Sequence, residues 1–152
     1  QGIEWNNHWV VSHHVLADLD VSLSKARFTD DDPAGDRIPG AVERVVSAGV
    51  ALTNYGPWSA SLQMRHFGPR PLIEDDSVRS RSTTLFNGRV GYRFDKTWSV
   101  ALDGFNLLDR KASDIDYFYA SRLRGETATG VDDVHFHPVE PRSFRFTVTA
   151  RF

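Results

Sequence analysis

The chain has 152 residues, 40% of them apolar and 25% charged, with a formal net charge of -2. That length suits a single domain with no need for a second, and the balanced, interspersed charges leave no electrostatic footprint for nucleic acid. Zero cysteines exclude a disulfide framework, a thiolate metal site and a cysteine nucleophile, and no apolar run is long enough for a transmembrane helix.

In chain order, the first candidate strand is Gly2 to Trp9, whose alternation fails at Asn6-Asn7. Ala17, Leu19, Val21 and Leu23 then oppose Asp18, Asp20, Ser22 and Ser24, and Val46, Ala48, Val50 and Leu52 oppose Ser47, Gly49, Ala51 and Thr53. From Trp58 to Phe67, Trp58, Ala60, Leu62 and Met64 face away from Ser59, Ser61, Gln63 and Arg65. Between Thr84 and Phe94 the apolar set is Phe86, Val90, Tyr92 and Phe94, against Leu85, Asn87, Arg89, Gly91 and Arg93. Trp98 to Asn106 repeats the pattern, with Phe105 intruding on the polar side. The last segment, Ser143 to Phe152, alternates without a break: Phe144, Phe146, Val148, Ala150 and Phe152 on one face, Ser143, Arg145, Thr147, Thr149 and Arg151 on the other.

Short links at Val10 to His14, Asn54 to Pro57 and Asp95 to Thr97 alternate with long ones at Thr29 to Val42, Gly68 to Ser80 and Leu107 to Pro141. Antiparallel neighbours joined in this way put every short turn at one end and every long loop at the other. The pattern therefore predicts an all-β, antiparallel up-and-down meander of about seven to eight strands. Strands of about ten residues rising about 3.3 Å each, tilted by about 45°, would cross the apolar band of about 25 Å that a membrane barrel presents. Trp58, Trp98, Tyr92, Phe94 and Phe152 are expected at the short-turn end, as an aromatic girdle or as the bottom plug of a soluble barrel. Arg65, Arg89, Asp103, Arg145 and Arg151 favour the membrane alternative, because a dry small core could not pair them cheaply.

The stretch Phe105-Asn106-Leu107-Leu108-Asp109-Arg110 resembles the "NLFD" segment leading out of the penultimate strand of TonB-dependent outer-membrane receptors. Asp114 to Arg122, Asp132 to Pro138, Asp31 to Gly40 and Phe67 to Leu72 also resemble loops of a subgroup of that family. The resemblance implies that residues 1–152 are one partial domain, the C-terminal segment of a large transmembrane β-barrel in the Gram-negative outer membrane. It also implies active uptake of a scarce solute such as a siderophore. Family members carry a plug and a barrel of 22 strands, so the plug and the TonB-contacting region are expected to belong to a longer parent. The first residue, Gln1, opens neither a signal peptide nor a start methionine, which fits a chain cut from something longer. The implied partners are outer-membrane lipid, the TonB complex through that parent, a small-molecule solute, and the barrel-assembly machinery. The last would read Phe144, Phe146, Val148 and Phe152. Two alternatives remain open: a small closed barrel with an apolar ligand inside, like a lipocalin, and a structural outer-membrane barrel without transport.

Among the long loops, Tyr117, Phe118 and Tyr119 with Arg122 and Arg124 read either as an aromatic and cationic ledge for an anionic ligand or as pins holding the loop to the rim. Arg70 is a further ligand candidate, although Arg70, Asp75 and Asp76 together read as solvated loop charges. His135 and His137, near Asp132 and Asp133, are weak metal candidates without a third ligand, and His13-His14 is weaker still. No cofactor motif, nucleophile elbow, phosphate loop or zinc-protease motif occurs, so no enzyme activity is expected. Asp18 and Asp20 share a strand face, as alternate polar positions do, and are expected to face a watery lumen.

Overall fold

A computed structural model describes all residues from Gln1 to Phe152, and it contains nine antiparallel strands and no helix. Seven of them form one sheet: β1 (Gly2–Val10), β2 (Val15–Ser24), β3 (Arg44–Tyr55), β4 (Trp58–Phe67), β5 (Thr83–Arg93), β6 (Trp98–Phe105) and, pairing directly with β6, β9 (Ser143–Ala150). The other two, β7 (Ser113–Ser121) and β8 (Val131–Pro138), make a separate hairpin inside the last long connection. The expected meander is therefore present in the sheet. The connection from Leu107 to Pro141 is not an irregular loop, however, and the strand count rises to nine.

Register explains why the sheet has two chemically distinct faces. Ala17, Val50, Leu62, Gly88, Gly104 and Phe144 are successive cross-strand partners, and one step along lies the row Leu52, Ala60, Val90, Leu102 and Phe146. On the opposite face Ala51, Ser61, Arg89, Asp103 and Arg145 are partners. Because a slip of one residue would turn a strand's apolar set to the wrong side, the alternation in each strand fixes its pairing with the next. β1 obeys the same rule across Asn6-Asn7, with Trp5 opposite Val21 and Trp9 opposite Ala17.

The sheet has no covered core. Only 10 of the 152 residues are buried, and on the apolar face Phe144 and Phe146 are 63% and 66% exposed. The sheet ends at β1 and β9, which do not pair with one another. Burial is instead concentrated at the long-loop end, at Pro71, Leu72, Ser80, Thr83, Asn106 and Asp116.

At the short-turn end, local side-chain bonds make the reversals. Asp95 Oδ1 accepts the Thr97 and Trp98 amides at 2.7 and 2.8 Å, and Ser12 Oγ accepts those of His14 and Val15. β3 runs through a bulge to Tyr55, so its turn to β4 is Gly56-Pro57, shorter than the sequence pattern suggests. Trp58 packs edge-on against Tyr92, and Tyr92 against Phe94, with centroids 4.7 and 4.9 Å apart. Three of the five aromatics expected at this end are thus in mutual contact. Phe152 is a departure: β9 stops at Ala150, and Phe152 stands fully exposed beyond it.

Candidate functional site

The long-loop end is built from three excursions of the chain that hold one another. In the first two, Gly35 lies so close to the second loop that a Cβ there would sit 2.3 Å from the Glu74 carbonyl oxygen, and its φ of 119° suits glycine alone. The Arg37 amide donates to the same Glu74 oxygen at 3.0 Å, and the Gly40 amide to the Pro71 oxygen at 2.8 Å. Four charges then close a ring across the gap: Arg37 pairs with Glu43 at 2.7 Å and with Asp76 at 3.1 Å, while Arg79 pairs with the same two carboxylates. Each charge thus has two partners, which makes the ring worth more than isolated surface pairs. Asp76 is consequently a bound part of the ring, contrary to its reading as a solvated charge.

Hydrogen bonding sets the ionisation of this rim. The Arg27 guanidinium bonds the Asp36 carboxylate, holding that acid below its ordinary range and raising the Arg27 value. Bonds from the Ser77 amide and hydroxyl lower Asp75, and the bond to Glu43 raises Arg79. All four groups therefore stay charged over a wide pH range.

The third excursion is clasped at its base by the Asn-Leu-Leu-Asp segment. Asn106 is buried and adopts a φ of 46°, and its side chain donates to the carbonyl oxygens of Arg110 (3.1 Å) and Glu140 (3.0 Å) while accepting the Arg110 amide (2.9 Å). Asp109 Oδ1 accepts the Arg142 amide at 3.0 Å. Two short polar side chains thus join the outgoing and returning strands of the excursion, a use of Asn and Asp that their tolerance of positive φ allows. Here lies a physical reason for that residue pattern.

Arg70 docks the hairpin onto the second loop. Its guanidinium donates to the Asp114 carbonyl oxygen (3.0 Å) and to Asp116 Oδ2 (3.2 Å), with both side chains largely removed from water. The Thr83 hydroxyl adds a bond to the Ser113 oxygen at 2.8 Å. Arg70 is therefore a partly buried ion-pair partner and not a solvated loop charge. This docking places Arg70, Leu72 and Gly40 against Tyr117, Phe118 and Tyr119 around a cavity of about 400 Å³. Tyr117 and Tyr119 are each more than half exposed, although one face of the Tyr119 ring is covered by His135.

Not every candidate joins this group. Arg122 lies at the hairpin tip, where Nε donates to the Glu126 carbonyl oxygen. His135 stacks on Tyr119 with centroids 4.0 Å apart, and its Nε2 is buried without a partner. His137 lies opposite Ile115, and no three His, Asp or Glu side chains are grouped as a metal would need. On the polar face of the sheet, Arg89 pairs with Asp103 at 2.9 Å and the Arg145 guanidinium lies 5.3 Å from the Phe105 ring centroid. That contact gives Phe105 a place among polar neighbours. Asp116, Asn106 and the ring of Arg37, Glu43, Asp76 and Arg79 carry the architecture, and the pairs that join them across the loops, Arg70 with Asp116, Arg79 with Glu43 and Asn106 with Glu140, lie 46, 36 and 34 positions apart, too far for spacing to reveal them.

The arrangement offers aromatic faces, hydroxyls and fixed charges for binding, above an amphipathic wall. Its fold is that of large outer-membrane receptor barrels. The chain superposes on the ferric yersiniabactin uptake receptor FyuA from Yersinia pestis with a TM-score of 0.72 over 99% of its length and 23% of that chain, at 19% identity. On the copper transporter OprC the TM-score is 0.71 over 98% of this chain and 23% of that one, at 18% identity. Residues 1–107 match the family model described as TonB dependent receptor-like, beta-barrel, and the chain belongs to that family. A stretch of 39 residues, 26% of this chain, is 49% identical to the ferric-pyoverdine M114 receptor PbuA of Pseudomonas sp. (strain M114) and spans 5% of that receptor. The family is one of outer-membrane receptors, and this chain spans less than a quarter of either solved relative.

Proposed function

We propose that the chain is the C-terminal part of the barrel of an outer-membrane receptor that imports a metal chelate with energy passed through TonB from the inner membrane. In this reading the row of Val90, Leu102 and Phe146 faces lipid, and the row of Arg89, Asp103 and Arg145 faces the lumen. The observation that carries it is the continuous register of an amphipathic wall whose long loops are tied together at one end. The relatives point to the cargo class, being receptors for ferric pyoverdine and ferric yersiniabactin and a copper transporter. The ledge of Tyr117, Phe118 and Tyr119, oriented by Arg70, contacts the incoming solute. Arg122 at the hairpin tip makes an outer contact. β9 serves as the strand recognised by the assembly machinery, through Phe144, Phe146, Val148 and Phe152, so removing Phe152 lowers the amount of folded receptor in the outer membrane.

The test is binding and uptake by the full-length receptor reconstituted in liposomes, against a panel of ferric siderophores, cobalamin, glycans and copper. Saturable binding of a metal chelate is expected, weakened about tenfold when Tyr117 and Tyr119 are both changed to Ala. Failure to bind any member of the panel would overturn the reading.

A further inference from the structure

The apolar face of the sheet is not uniform. Gly88 and Gly104 are direct cross-strand partners, so the ladder there presents bare backbone between larger neighbours. Leu107, whose amide bonds the Phe86 carbonyl oxygen at 2.9 Å, leans over both glycines: its methyls lie where their Cβ atoms would contact it, at 3.3 Å for Gly88 and 2.6 Å for Gly104. Below it runs a groove of about 400 Å³ walled by Val50, Leu62, Val90, Leu102 and Phe144. A groove of that size with almost no polar lining accepts an aliphatic chain.

The next residue, Leu108, lines a second cavity of about 1200 Å³ at the loop end, shared with Thr84, Phe136, Arg81, Arg110 and Lys111. Arg81, Arg110 and Lys111 are exposed and belong to none of the seven ion pairs, whereas Arg79 at the same cavity is held by Glu43 and Asp76. The acids lining it are Asp109, which accepts the Arg142 amide, and Asp116, which is paired with Arg70. Asp109 is the one acid of this lining left outside an ion pair, so three free cations face one free carboxylate and a net positive charge remains beside the apolar groove.

The geometry points to a binding site for an anionic phospholipid, one of net negative charge, with an acyl chain in the groove beside Gly88 and Gly104 and the phosphate among Arg81, Arg110 and Lys111. A free anion would use only the cations and a neutral lipid only the groove; the contiguity through Leu107-Leu108 fits a molecule that is both. The inference rests on the apolar face being the lipid-facing one.

Native mass spectrometry of the full-length receptor in non-ionic detergent, with added phosphatidylglycerol or phosphatidylcholine, tests it. Phosphatidylglycerol is expected to stay bound preferentially. The variant R81A/R110A/K111A should weaken it about tenfold or more while leaving chelate binding unchanged. Gly88→Val, which fills the groove where the nearest atoms are the movable Leu107 methyl at 3.3 Å and the Ser61 oxygen at 3.4 Å, should weaken both lipids. Unchanged phosphatidylglycerol retention in the triple variant overturns the inference, and so does full displacement by excess inorganic phosphate. A nitroxide attached at Phe146→Cys separates this from the underlying reading. More quenching by oxygen than by a water-soluble nickel chelate places that face in lipid, whereas the reverse sinks the facing itself.

Discussion

The seven-stranded wall and the clasped loop end obey different rules. In the wall, structure comes from register: many side chains of similar character alternate, few are buried, and contacts such as Arg89 with Asp103 join immediate neighbours across the ladder. At the loop end, structure comes from single partners. Asn106, Asp116, Arg70 and Glu43 each have specific bonds that no neighbouring residue could supply. The wall should therefore tolerate substitution that preserves pattern, and the loop end should not.

The largest effect expected at the loop end follows Asn106→Ala. It removes three side-chain bonds, strips the Glu140 oxygen of its partner and leaves a φ of 46° that alanine resists. The base of the excursion should lose about 3–4 kcal/mol, seen as faster hydrogen exchange across residues 106–142 of the intact receptor with β2 to β5 unchanged. Asp116→Asn leaves Arg70 with a neutral partner in a largely dry site. A local loss of about 2 kcal/mol and faster exchange in β7 are expected. Acidification comes next. Asp36 and Asp75 titrate below the ordinary carboxylate value of 3.8, so the stability they confer is complete above that pH and is lost as pH falls through their lower folded values. Limited proteolysis across this range should open residues 25–43 and 68–82 before any strand of the wall; simultaneous opening would contradict the contrast. The smallest effect belongs to the wall: Arg89→Ala, whose side chain is 53% exposed, should change stability by less than about 1 kcal/mol in thermal melts.

Legibility in the sequence divides along the same line. Trp58 to Phe67, Thr83 to Arg93, Trp98 to Phe105 and Ser143 to Ala150 are readable because apolar and polar chemistry alternates at every second residue. The hairpin of β7 and β8 was hidden: around Ile115, Tyr117 and Tyr119 both strand faces carry mixed residues, and the register shifts between Ser113 and Ile115. The meeting of Arg70 with Tyr117 to Tyr119 depends on the Asp116 pair, formed across 46 positions of chain. No local pattern encodes such a pair. The resemblance located the Asn-Leu-Leu-Asp segment, while its physical role became visible only when Glu140 and Arg142 returned to it.

That clasp has an evolutionary and practical consequence. β6 and β9 are adjacent ladder partners although residues 106–142 lie between them, and the excursion leaves and re-enters through two bonded points at its own base. The hairpin tip between β7 and β8, beyond the Arg70–Asp116 and Thr83–Ser113 bonds, is an exchangeable cassette. Extending or replacing residues 122–130 adds little closure cost, because that cost grows only with the logarithm of loop length. Sequence variation can accumulate there without disturbing the ladder. The same site is where a foreign peptide or hairpin would be grafted at least cost to the wall.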